Sequence, residues 1–593
     1  MKVNRDKRKS TSAHKGRNKK RRHVFNPKTS ETNEGSFSAS AKKITNQDSV
    51  IVPRDATVEY RILNFITVFA AISEYVKCKS CGGDIKFQTS SERGLGFKIV
   101  LLCDECATRT INSCPFIGHS YAINRRFIFV MRILGLGLKG AKKFCGLMDM
   151  PAFLTQSTYD MILKNIHGCV QIATDKLLDN ARTEEKQFTS ANQGEAHSTE
   201  LTVSGDGTWK KRGFSSLYGV ASLIGYYSGK ILDVCVKSSY CKQCEVWNKK
   251  LHTEDYQDWY ENHKKSCSAN HSGSSGKMEV DAIIEMFKRS MKSFGIMYKN
   301  YIGDGDSKTY SGILKAAPYE SVEICKKECI GHVQKRMGTR LREVVKKYVD
   351  TVVKGKKKVQ RKTLGGKGRL TGKMIDKLTV YYGLAIRRNC DSVEKMHNAI
   401  WATFHHYCST DDNPLHENCP IGPDSWCSWQ RAAASNELAA FHHDYEPLPA
   451  DVIEAIRPIY TDLSNEKLLE RCVGGFNQNN NESYNQLIWK ISPKIIPCGS
   501  KIVEIAANVA AGIFNEGTSS LLYFMYAMGV CIGPSAHEYA QKEDEERVAI
   551  SDHRAQEATR DGRIARRQHQ IDVLESAKEI EGLLYGPEID DSV

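Results

Sequence analysis

Residues 301–310 read YIGDGDSKTY, in which an apolar lead-in is followed by two aspartates set between glycines. A buried carboxylate is costly unless it is paired, hydrogen-bonded or bound to a metal ion. The stretch therefore has two interpretations: a polar turn that follows a strand, or a metal-binding carboxylate at the strand's carboxyl end. Asp304 directly follows the apolar run and is the first choice for such a ligand, with Asp306 as the alternative.

The segments around this stretch predict its fold. LTVSGD ends a strand at Asp206, and FSSLYGVASLIGYY and KILDVCVKSS predict the next two strands. EVDAIIEMFKRSMKSFG has the apolar spacing of a helix, and IMYKNYIGD is a strand that ends at Asp304. A short strand in SVEICKKECIGH then leads into the helix VQKRMGTRLREVVKKYV. The order of three strands, helix, strand, helix, strand and helix is typical of an α/β, ribonuclease H-like fold, in which acidic residues end the first and fourth strands.

A third acidic residue follows in NNESYN, on a helix that Asn480 or Asn481 is predicted to cap. Three carboxylates from two strand ends and a helix can hold the two Mg²⁺ or Mn²⁺ ions of a phosphodiester-cutting site. The alternative is three unrelated acidic residues, which are common in any chain. The carboxylates are those of Asp206, Asp304 and Glu482, and the glycines expected to leave room for metal and phosphate are Gly303 and Gly305.

Four motifs together resemble the transposases of Mutator-like elements, from about residue 60 to about residue 530. They are DGTW at Asp206, GDGDSKTY at Asp304, ECIGHVQKRMG around Cys329 and His332, and NNESYNQLIW around Glu482. The resemblance implies a DDE-type enzyme with a ribonuclease H-like core, in which the three carboxylates form the metal-binding triad. It also identifies Cys329 and His332 as the family's Cys-x2-His motif, with a structural or supporting role where its helix starts.

Two cysteine clusters have the spacing of zinc sites. The first has two Cys-x2-Cys pairs separated by two short predicted strands, as in a zinc ribbon, and consists of Cys78, Cys81, Cys103 and Cys106. The second lies in an insertion of the predicted core and offers five candidates for four positions. Its first choice is Cys241, Cys244, His263 and Cys267, with His271 as a substitute. The alternative for the first cluster is four ordinary buried cysteines.

A third Cys/His cluster has irregular spacing and lies among proline-rich turns. Zinc binding and a set of buried cysteines with capping histidines are equally good interpretations here. The cluster comprises His405, His406, Cys408, His416, Cys419 and Cys427.

The net charge of +16 is concentrated in two places. Residues 1–54 are basic, and the motifs KRK and KKRR within them resemble a two-part nuclear import signal. Residues 354–377 form a second basic block in which glycines separate the cations, a pattern that can follow a phosphate backbone. The alternatives are a nonspecific tail and a surface loop without a partner. The predicted DNA contacts are Lys354, Lys356, Lys357, Lys358, Arg361, Lys362, Lys367, Arg369 and Lys373.

No apolar run is long enough to span a membrane, and the amino terminus lacks the features of a secretory signal. Seven regions are predicted. They are a disordered basic tail (1–55), a zinc-ribbon-like domain (56–118), helices and a linker (119–195), the first part of the core (196–350) with its Cys/His insertion (238–276), a basic and helical insertion (351–470), the end of the core with Glu482 (471–535) and a charged helical tail (536–593).

The leading hypothesis is a nuclear, homo-oligomeric DNA transposase that binds the terminal repeats of its element and joins them to target DNA. One alternative is a domesticated, catalytically silent DNA-binding protein of the same fold. Another is a nuclease of that fold that hydrolyses DNA without strand transfer. All three carboxylates are present, so the sequence gives no reason to prefer an inactive protein.

Overall fold

The computed structural model describes residues 38–44, 51–194, 199–211, 215–305, 307–354, 357–423, 425–443 and 445–557. One compact unit spans Asn33–Gln556, and the rest of the chain belongs to a second unit, of which only Glu557 is described. The predicted nuclear import motifs, Asp306 and Lys356 therefore lie outside the described residues.

The amino-terminal region contains two helices and a three-stranded antiparallel sheet of order β1-β2-β3. The short helix α1 falls within the tail that was predicted to be disordered, and its Lys43 and Ile44 are buried. The predicted pair of strands between the two Cys-x2-Cys motifs is present as β1 and β2. The elements are α1 (Ala39–Ile44), α2 (Phe65–Tyr75), β1 (Ile85–Arg93), β2 (Gly96–Cys103), β3 (Arg109–Asn112), β4 (Phe116–Ile117) and β5 (Ser120–Tyr121).

Three helices follow: α3 (Ala122–Ile133), α4 (Leu138–Leu147) and α5 (Gln156–Gln193). A linker was predicted at the end of the region 119–195, in the polar stretch EEKQFTSANQGEAHS, but α5 continues into this stretch as far as Gln193. The reason is a buried polar face. The Glu185 carboxylate accepts hydrogen bonds from the backbone N–H groups of Tyr227 and Ser228 at 3.0 and 2.7 Å.

A five-stranded mixed sheet of order β10-β9-β6-β7-β8 forms the centre of the unit. Strands β6, β7 and β8 are antiparallel neighbours, whereas β9 pairs in parallel with both β6 and β10. The predicted order of strands and helices is observed, with two short helices in the Cys/His insertion. The elements are β6 (Glu200–Trp209), β7 (Tyr218–Gly225), β8 (Ile231–Ser238), α6 (Lys242–Trp247), α7 (Glu254–His263), α8 (Ser275–Phe294), β9 (Met297–Gly303), α9 (Ser307–Ala316), β10 (Cys325–Glu328) and α10 (Ile330–Lys347).

The polypeptide then forms a two-stranded hairpin and a mainly helical region before it returns to the sheet. The helical region has a core of its own, to which α10 contributes Val333, Met337 and Leu341. Part of the basic block, in which glycines were expected to separate the cations, is regular structure: residues 354 and 357–362 lie in the hairpin strands and residues 372–377 lie in α11. The elements are β11 (Val349–Lys354), β12 (Lys357–Lys362), α11 (Gly372–Arg388), α12 (Val393–Cys408), α13 (Ser428–Ala434), α14 (Ala450–Leu463) and α15 (Glu466–Cys472).

Four carboxyl-terminal helices complete the unit: α16 (Asn479–Ile491), α17 (Ser500–Glu516), α18 (Ser519–Ala527) and α19 (Pro534–Glu557). The predicted charged tail begins as α19, which is anchored by a buried polar residue. The Asp544 carboxylate accepts hydrogen bonds from the backbone N–H groups of Thr518 and Ser519 at 2.6 and 3.2 Å. No helix in the described ranges is long and apolar enough to cross a membrane.

Helices cover both faces of the central sheet, as the alternation along β7 shows. Val220 and Ile224 pack in one core with α5, α16 and α17, whereas Ala221 and Leu223 pack in another core with α8. Every residue of β7 is buried, which is expected when both faces of a strand are covered. The two layers leave the carboxyl end of β6 beside α16.

Candidate active site and metal-binding groups

The first two predicted carboxylates lie on neighbouring parallel chain segments in the same register. The prediction that the first strand ends at Asp206 is wrong, because β6 continues to Trp209 beside β7. Ser204 of β6 pairs with Ile302 of β9, so the register continued by two residues places Asp206 beside Asp304. Because neighbouring strands lie about 4.8 Å apart, the two residues lie side by side where β9 ends. Asp304 side chain is 60% exposed. The register thus brings together the two aspartates that the sequence selected.

Asp206 is the most enclosed of the three carboxylates. Burial is the largest of the effects that raise its pKa to about 6, and the negative charges of Asp304 and Glu482 raise it further. The Gly207 backbone N–H and the His332 imidazole act in the opposite direction. Asn485 Nδ2 donates a 2.8 Å hydrogen bond to Asp206 Oδ2. These influences place the three carboxylates in one electrostatic environment.

Helix α16 is fixed to β6 by side-chain amides on one of its faces. Gln478 Nε2 donates to Gly205 O at 2.8 Å, and Asn481 bonds both the hydroxyl and the carbonyl of Ser204 at 2.7 and 3.2 Å. Asn485 continues this series with its bond to Asp206. The spacing of three and four residues is that of one helix face.

The amide contacts determine where Glu482 lies. Its side chain is 48% exposed, and Glu482 Oε1 is 3.7 Å from Lys335 Nζ on α10. A carboxylate in the first helical turn is favoured by the helix dipole. Gln478 is the residue that precedes the helix, so the prediction that Asn480 or Asn481 caps it is wrong. Asn481 lies inside the helix and is used to hold β6.

The Cys-x2-His motif lies where α10 begins, between the aspartates and α16. His332 Nδ1 is 3.0 Å from Gln478 Oε1 and 3.6 Å from Asp304 Oδ1. A hydrogen bond with the Cys329 thiol is the largest cause of the raised pKa of His332. Burial raises the pKa of Cys329, but the hydrogen bond and charge of His332 outweigh it and the pKa is lowered. Within the described residues, neither side chain belongs to a group with a third metal-ligating partner.

A larger side chain would not fit at either glycine next to Asp304. A Cβ atom at Gly303 would lie 2.6 Å from the Tyr301 ring, and one at Gly305 would lie 1.7 Å from Arg336 Nη2. These contacts explain why glycine stands at both positions, and the expected room for metal and phosphate stays a prediction. Arg336 Nη2 is held at 2.7 Å from Glu328 Oε2, which keeps the guanidinium against the backbone of the strand end.

Sequence reasoning missed four polar residues around the carboxylates: Lys335, Arg336, Gln478 and Asn485. The signal for the first pair was their position three and four residues after His332, which places all three on neighbouring parts of one helix surface. The signal for the second pair was the i, i+3, i+7 spacing of amides in QNNNESYN.

The amino-terminal cysteines converge as predicted. The four thiols of Cys78, Cys81, Cys103 and Cys106 all lie within 4.8 Å of one another. Cys78 Sγ is 3.7 Å from Cys106 Sγ, and Cys81 Sγ is 3.3 Å from Cys103 Sγ. The backbone N–H groups of Cys81 and Ser80 lower the pKa of Cys78 to about 6. This arrangement could hold one tetrahedral metal ion.

The insertion after β8 forms a second group from the four first-choice residues: Cys241, Cys244, His263 and Cys267. Cys241 Sγ is 3.4 Å from His263 Nε2, and Cys244 Sγ is 3.5 Å from Cys267 Sγ. The substitute ligand His271 is not in this group. Its Nδ1 is 3.2 Å from Asp281 Oδ2, and its Nε2 is 3.2 Å from Ser274 O.

A third group is assembled from the irregular cluster and consists of His406, His416, Cys419 and Cys427. Its four ligand atoms also lie within 4.8 Å of one another, and all four residues are buried. His405 and Cys408, which belong to the same stretch of sequence, are not part of it.

The predicted DNA contacts divide into three sets. Lys367 and Lys373 are exposed, whereas the Arg369 guanidinium forms an ion pair with Asp451. The basic residues in the hairpin strands are described by their backbone pairing, in which Lys354 is opposite Lys357. Those residues are Lys354, Lys357, Lys358, Arg361 and Lys362.

A model of one protein family, described as Mutator-like transposase, matches residues 59–427. The chain belongs to this family. The matched segment of this Mutator-like transposase contains Asp206, Asp304, Cys329 and His332 and ends before Glu482. Family membership implies a nuclease or transferase kind of activity, with DNA as the partner. No curated protein and no solved structure matches the chain.

Proposed function

We propose that the protein is a DDE-type DNA transposase in which Asp206, Asp304 and Glu482 hold the catalytic metal ions. The observation that carries the proposal is the shared register of the two aspartates, with Glu482 held beside them by the amides of α16. The five-stranded sheet, with its antiparallel β6-β7-β8 and parallel β9 and β10, supports a ribonuclease H-like core.

The donors fit divalent cations such as Mg²⁺ or Mn²⁺. Hard cations prefer oxygen ligands, and all three side chains are carboxylates. The pKa of about 6 for Asp206 means that a proton and a metal ion compete for this group in acid solution. When bound, two such ions would supply the activation of the attacking oxygen and the stabilisation of the leaving oxygen of a phosphodiester.

The surrounding residues have distinct tasks in this proposal. Asn485 orients the Asp206 carboxylate, and His332 bridges Asp304 and the start of α16 through Gln478. Lys335 and Arg336 bring positive charge to the same edge of the sheet, where a DNA phosphate would be attracted. This supporting role agrees with the position of the Cys-x2-His motif at the start of its helix.

The first two Cys/His groups fit structural zinc. Each offers four ligands of the types that tetrahedral Zn²⁺ prefers, which leaves no position open for a substrate. The amino-terminal group on β1 and β2 is accordingly proposed to be a zinc ribbon. Metal analysis tests both sites, since Cys81→Ser and Cys244→Ser should each remove one zinc ion per chain. Unchanged zinc content in either variant would contradict that site.

The basic block is proposed to bind the DNA backbone. Replacing Lys357 and Lys358 with glutamine should weaken DNA binding and reduce the slope of log affinity against log salt by about one per lost phosphate contact. Lys467→Gln on α15 provides a surface control. An unchanged salt slope in the double variant would place the hairpin away from DNA. The nuclear location and the homo-oligomeric state stay predictions, and import of a reporter fused to residues 1–50 tests the former.

Catalysis is tested with the purified full chain, Mn²⁺ or Mg²⁺, and DNA that carries the inverted repeats flanking its own coding sequence. Asp206→Asn, Asp304→Asn and Glu482→Gln should each reduce cleavage at least about 100-fold, or about 2.7 kcal/mol. Asp462→Asn, in an exposed ion pair with Arg340, is the matched control and should cleave normally. Equal activity of wild type and Asp206→Asn would refute the enzymatic proposal.

The same assay ranks the two aspartates of GDGDSK. Asp304→Asn should abolish cleavage, whereas Asp306→Asn should retain most of it, because Asp304 is the residue in register with Asp206. The reverse result would make Asp306 the second metal ligand. Strand transfer is followed as the joining of labelled repeat ends to a plasmid, and cleavage without joining would indicate a nuclease.

A further inference from the structure

We infer that the helical region contains a third zinc site, formed by His406 at the end of α12 and by His416, Cys419 and Cys427 from the segment that follows. All four side chains are buried, and their ligand atoms converge on one point. His406 Nδ1 and His416 Nδ1 are 3.3 Å apart. Cys427 Sγ is 3.5 Å from His416 Nδ1, and Cys419 Sγ is 3.8 Å from it.

These distances are the edges of a zinc tetrahedron. With Zn–N near 2.05 Å and Zn–S near 2.3 Å, ideal angles place two nitrogens about 3.3 Å apart and a nitrogen and a sulfur about 3.6 Å apart. The nitrogen–nitrogen distance of 3.3 Å and nitrogen–sulfur distances of 3.5–4.0 Å follow this pattern. The two thiols are not joined in a disulfide. Two thiols and two imidazoles facing one another in a buried place form a donor set for a soft or borderline cation.

The groups around the site orient His416 for ligation. His416 Nε2, the nitrogen that faces away from the cysteines, is 2.9 Å from Ser409 Oγ and 2.9 Å from His443 Nε2. His443 Nδ1 in turn contacts the Asp411 carboxylate. A metal-bound histidine characteristically donates its other N–H to such a partner, which fixes the tautomer and the direction of the ring. Trp429 stacks on the His416 ring at a centroid distance of 5.3 Å.

The position of the group explains what a metal ion would do there. Between α12 and α14, the regular structure of the described residues consists of the seven-residue α13 and one turn of 3-10 helix at Leu438–Ala440. The local apolar core is small and consists of Ala402, Cys419, Cys427, Trp426 and Trp429. Such a segment buries too little apolar surface to order itself without another constraint. Zinc would fasten it to α12, and thereby to the core of the helical region.

The site is independent of the proposed catalysis, because it shares no residue with the carboxylates. Its test uses the full chain purified with zinc and measures metal content per chain. Cys427→Ser and His416→Ala should each contain one zinc ion fewer than wild type. Cys408→Ser and His405→Ala change the same residue types on α12, next to His406 but outside the group, and they should keep the wild-type content. Equal zinc content in Cys427→Ser and wild type would overturn the proposal.

A second measurement on the wild-type chain covers the case in which those variants do not fold. Thiol alkylation followed by peptide mass spectrometry should find Cys419 and Cys427 protected in the zinc-loaded protein. A chelator that removes the zinc should increase their labelling rate at least about tenfold. The labelling rate of Cys145, a buried thiol of α4, should not change. Identical labelling of Cys419 and Cys427 with and without chelator would refute the site, whatever the outcome of the cleavage assay.

Discussion

The carboxylate site and the Cys/His group of the helical region arrange their polar side chains in opposite ways. Asp304 and Glu482 are 60% and 48% exposed, and their nearest cationic partners are 3.6 and 3.7 Å away. The four members of the Cys/His group are all buried within 4.8 Å of one another. The carboxylate site keeps negative charges near each other and accessible to a substrate. In the Cys/His group, by contrast, the four ligand atoms face one another and leave no side open to a substrate.

This difference predicts opposite effects of mutation on stability. A site that holds repelling charges for a substrate should become more stable when one charge is removed. A group that a metal ion holds together should become less stable when one ligand is removed. The amino-terminal cysteines belong to the second kind, although they lie at the surface.

The largest effect is expected at the amino-terminal sheet. The strands β1 and β3 have no buried residue, and β2 has one, Gly96. A sheet with so few buried residues should depend on the metal ion that its four cysteines could hold, since such binding is worth roughly 10 kcal/mol in small zinc domains. Cys103→Ser should therefore abolish the amide hydrogen-exchange protection of β1–β3 while β6–β9 keep theirs.

Cys114→Ser is the control for this variant, because Cys114 lies just after β3 and outside the metal group. It should leave the exchange pattern of β1–β3 unchanged. Protected β1–β3 amides in Cys103→Ser would mean that the sheet folds without a metal ion. That result would contradict the expectation that removing one ligand destabilises a metal-held group, in the case where the largest effect is expected.

The second effect has the opposite sign and concerns Asp206. Its pKa of about 6 lies above the ordinary value of 3.8, so the folded protein binds this proton more tightly than the unfolded chain does. Stability due to this group is present below about pH 4 and is lost as the pH rises through about 6. Asp206→Asn, which does not titrate, should thus stabilise the protein without Mg²⁺ or Mn²⁺ by about 3 kcal/mol at pH 8.

Urea denaturation of the zinc-loaded protein without added Mg²⁺ or Mn²⁺, at pH 8 and pH 5, measures this gain, which should shrink at the lower pH. Asp462→Asn should change stability by less than about 0.5 kcal/mol at both values. Divalent cation should stabilise wild type but not Asp206→Asn. A loss of stability in Asp206→Asn at pH 8 would show that Asp206 supports the fold instead of costing it stability.

The strand order and both aspartates could be predicted because they depend on local patterns. Buried strands and an amphipathic α8 leave clear apolar runs, and a carboxylate at the end of such a run stands out. The amide contacts of α16 could not be predicted, since they join Gln478 and Asn481 to a strand about 275 residues earlier in the chain. The same long-range burial explains why the polar end of α5 was mistaken for a linker: Glu185 is satisfied by the turn after β7.

The Cys/His groups show the same dependence on distance along the chain: contacts between residues close in sequence could be predicted, and the others could not. Cys78 and Cys81, like Cys241 and Cys244, are close in sequence, so their spacing alone predicts convergence. The third group combines a residue of α12 with three from an irregular segment, and its spacing indicated zinc no better than buried cysteines. Only the fold separates His406 from its neighbour His405.

A third, smaller effect is expected at Asn485, which connects the carboxylate site to the rigid sheet. Removing its amide in Asn485→Ala should cost about 1 kcal/mol, the usual value for one hydrogen bond. Because the amide donates to Asp206, its loss should also raise the pKa of Asp206. The acid limb of the pH–cleavage profile should move to higher pH. Asn485→Asp would place another acid beside Asp206 and should move the acid limb to still higher pH.

Asn389→Ala, which removes an amide hydrogen bond to Ala385 O within the helical region, is the control. It should cost similar stability and leave the pH profile in place. An unshifted profile in Asn485→Ala would mean that Asp206 protonation does not limit cleavage.

The smallest effect is expected at Lys335, whose ion pair with Glu482 joins two side chains that are 56% and 48% exposed. Water screens such a pair, so Lys335→Gln should change stability by less than about 0.5 kcal/mol. In the wild type the Lys335 ammonium also repels a cation at Glu482. Its removal should therefore raise the Mn²⁺ affinity, measured by calorimetry, about twofold at low salt. This gain should vanish at 1 M salt, where the screening length is about 3 Å. A stability loss above about 2 kcal/mol would instead show that the Lys335–Glu482 ion pair supports the fold. The carboxylate site would then resemble the Cys/His group in stabilising the protein, and the difference between the two regions would not hold.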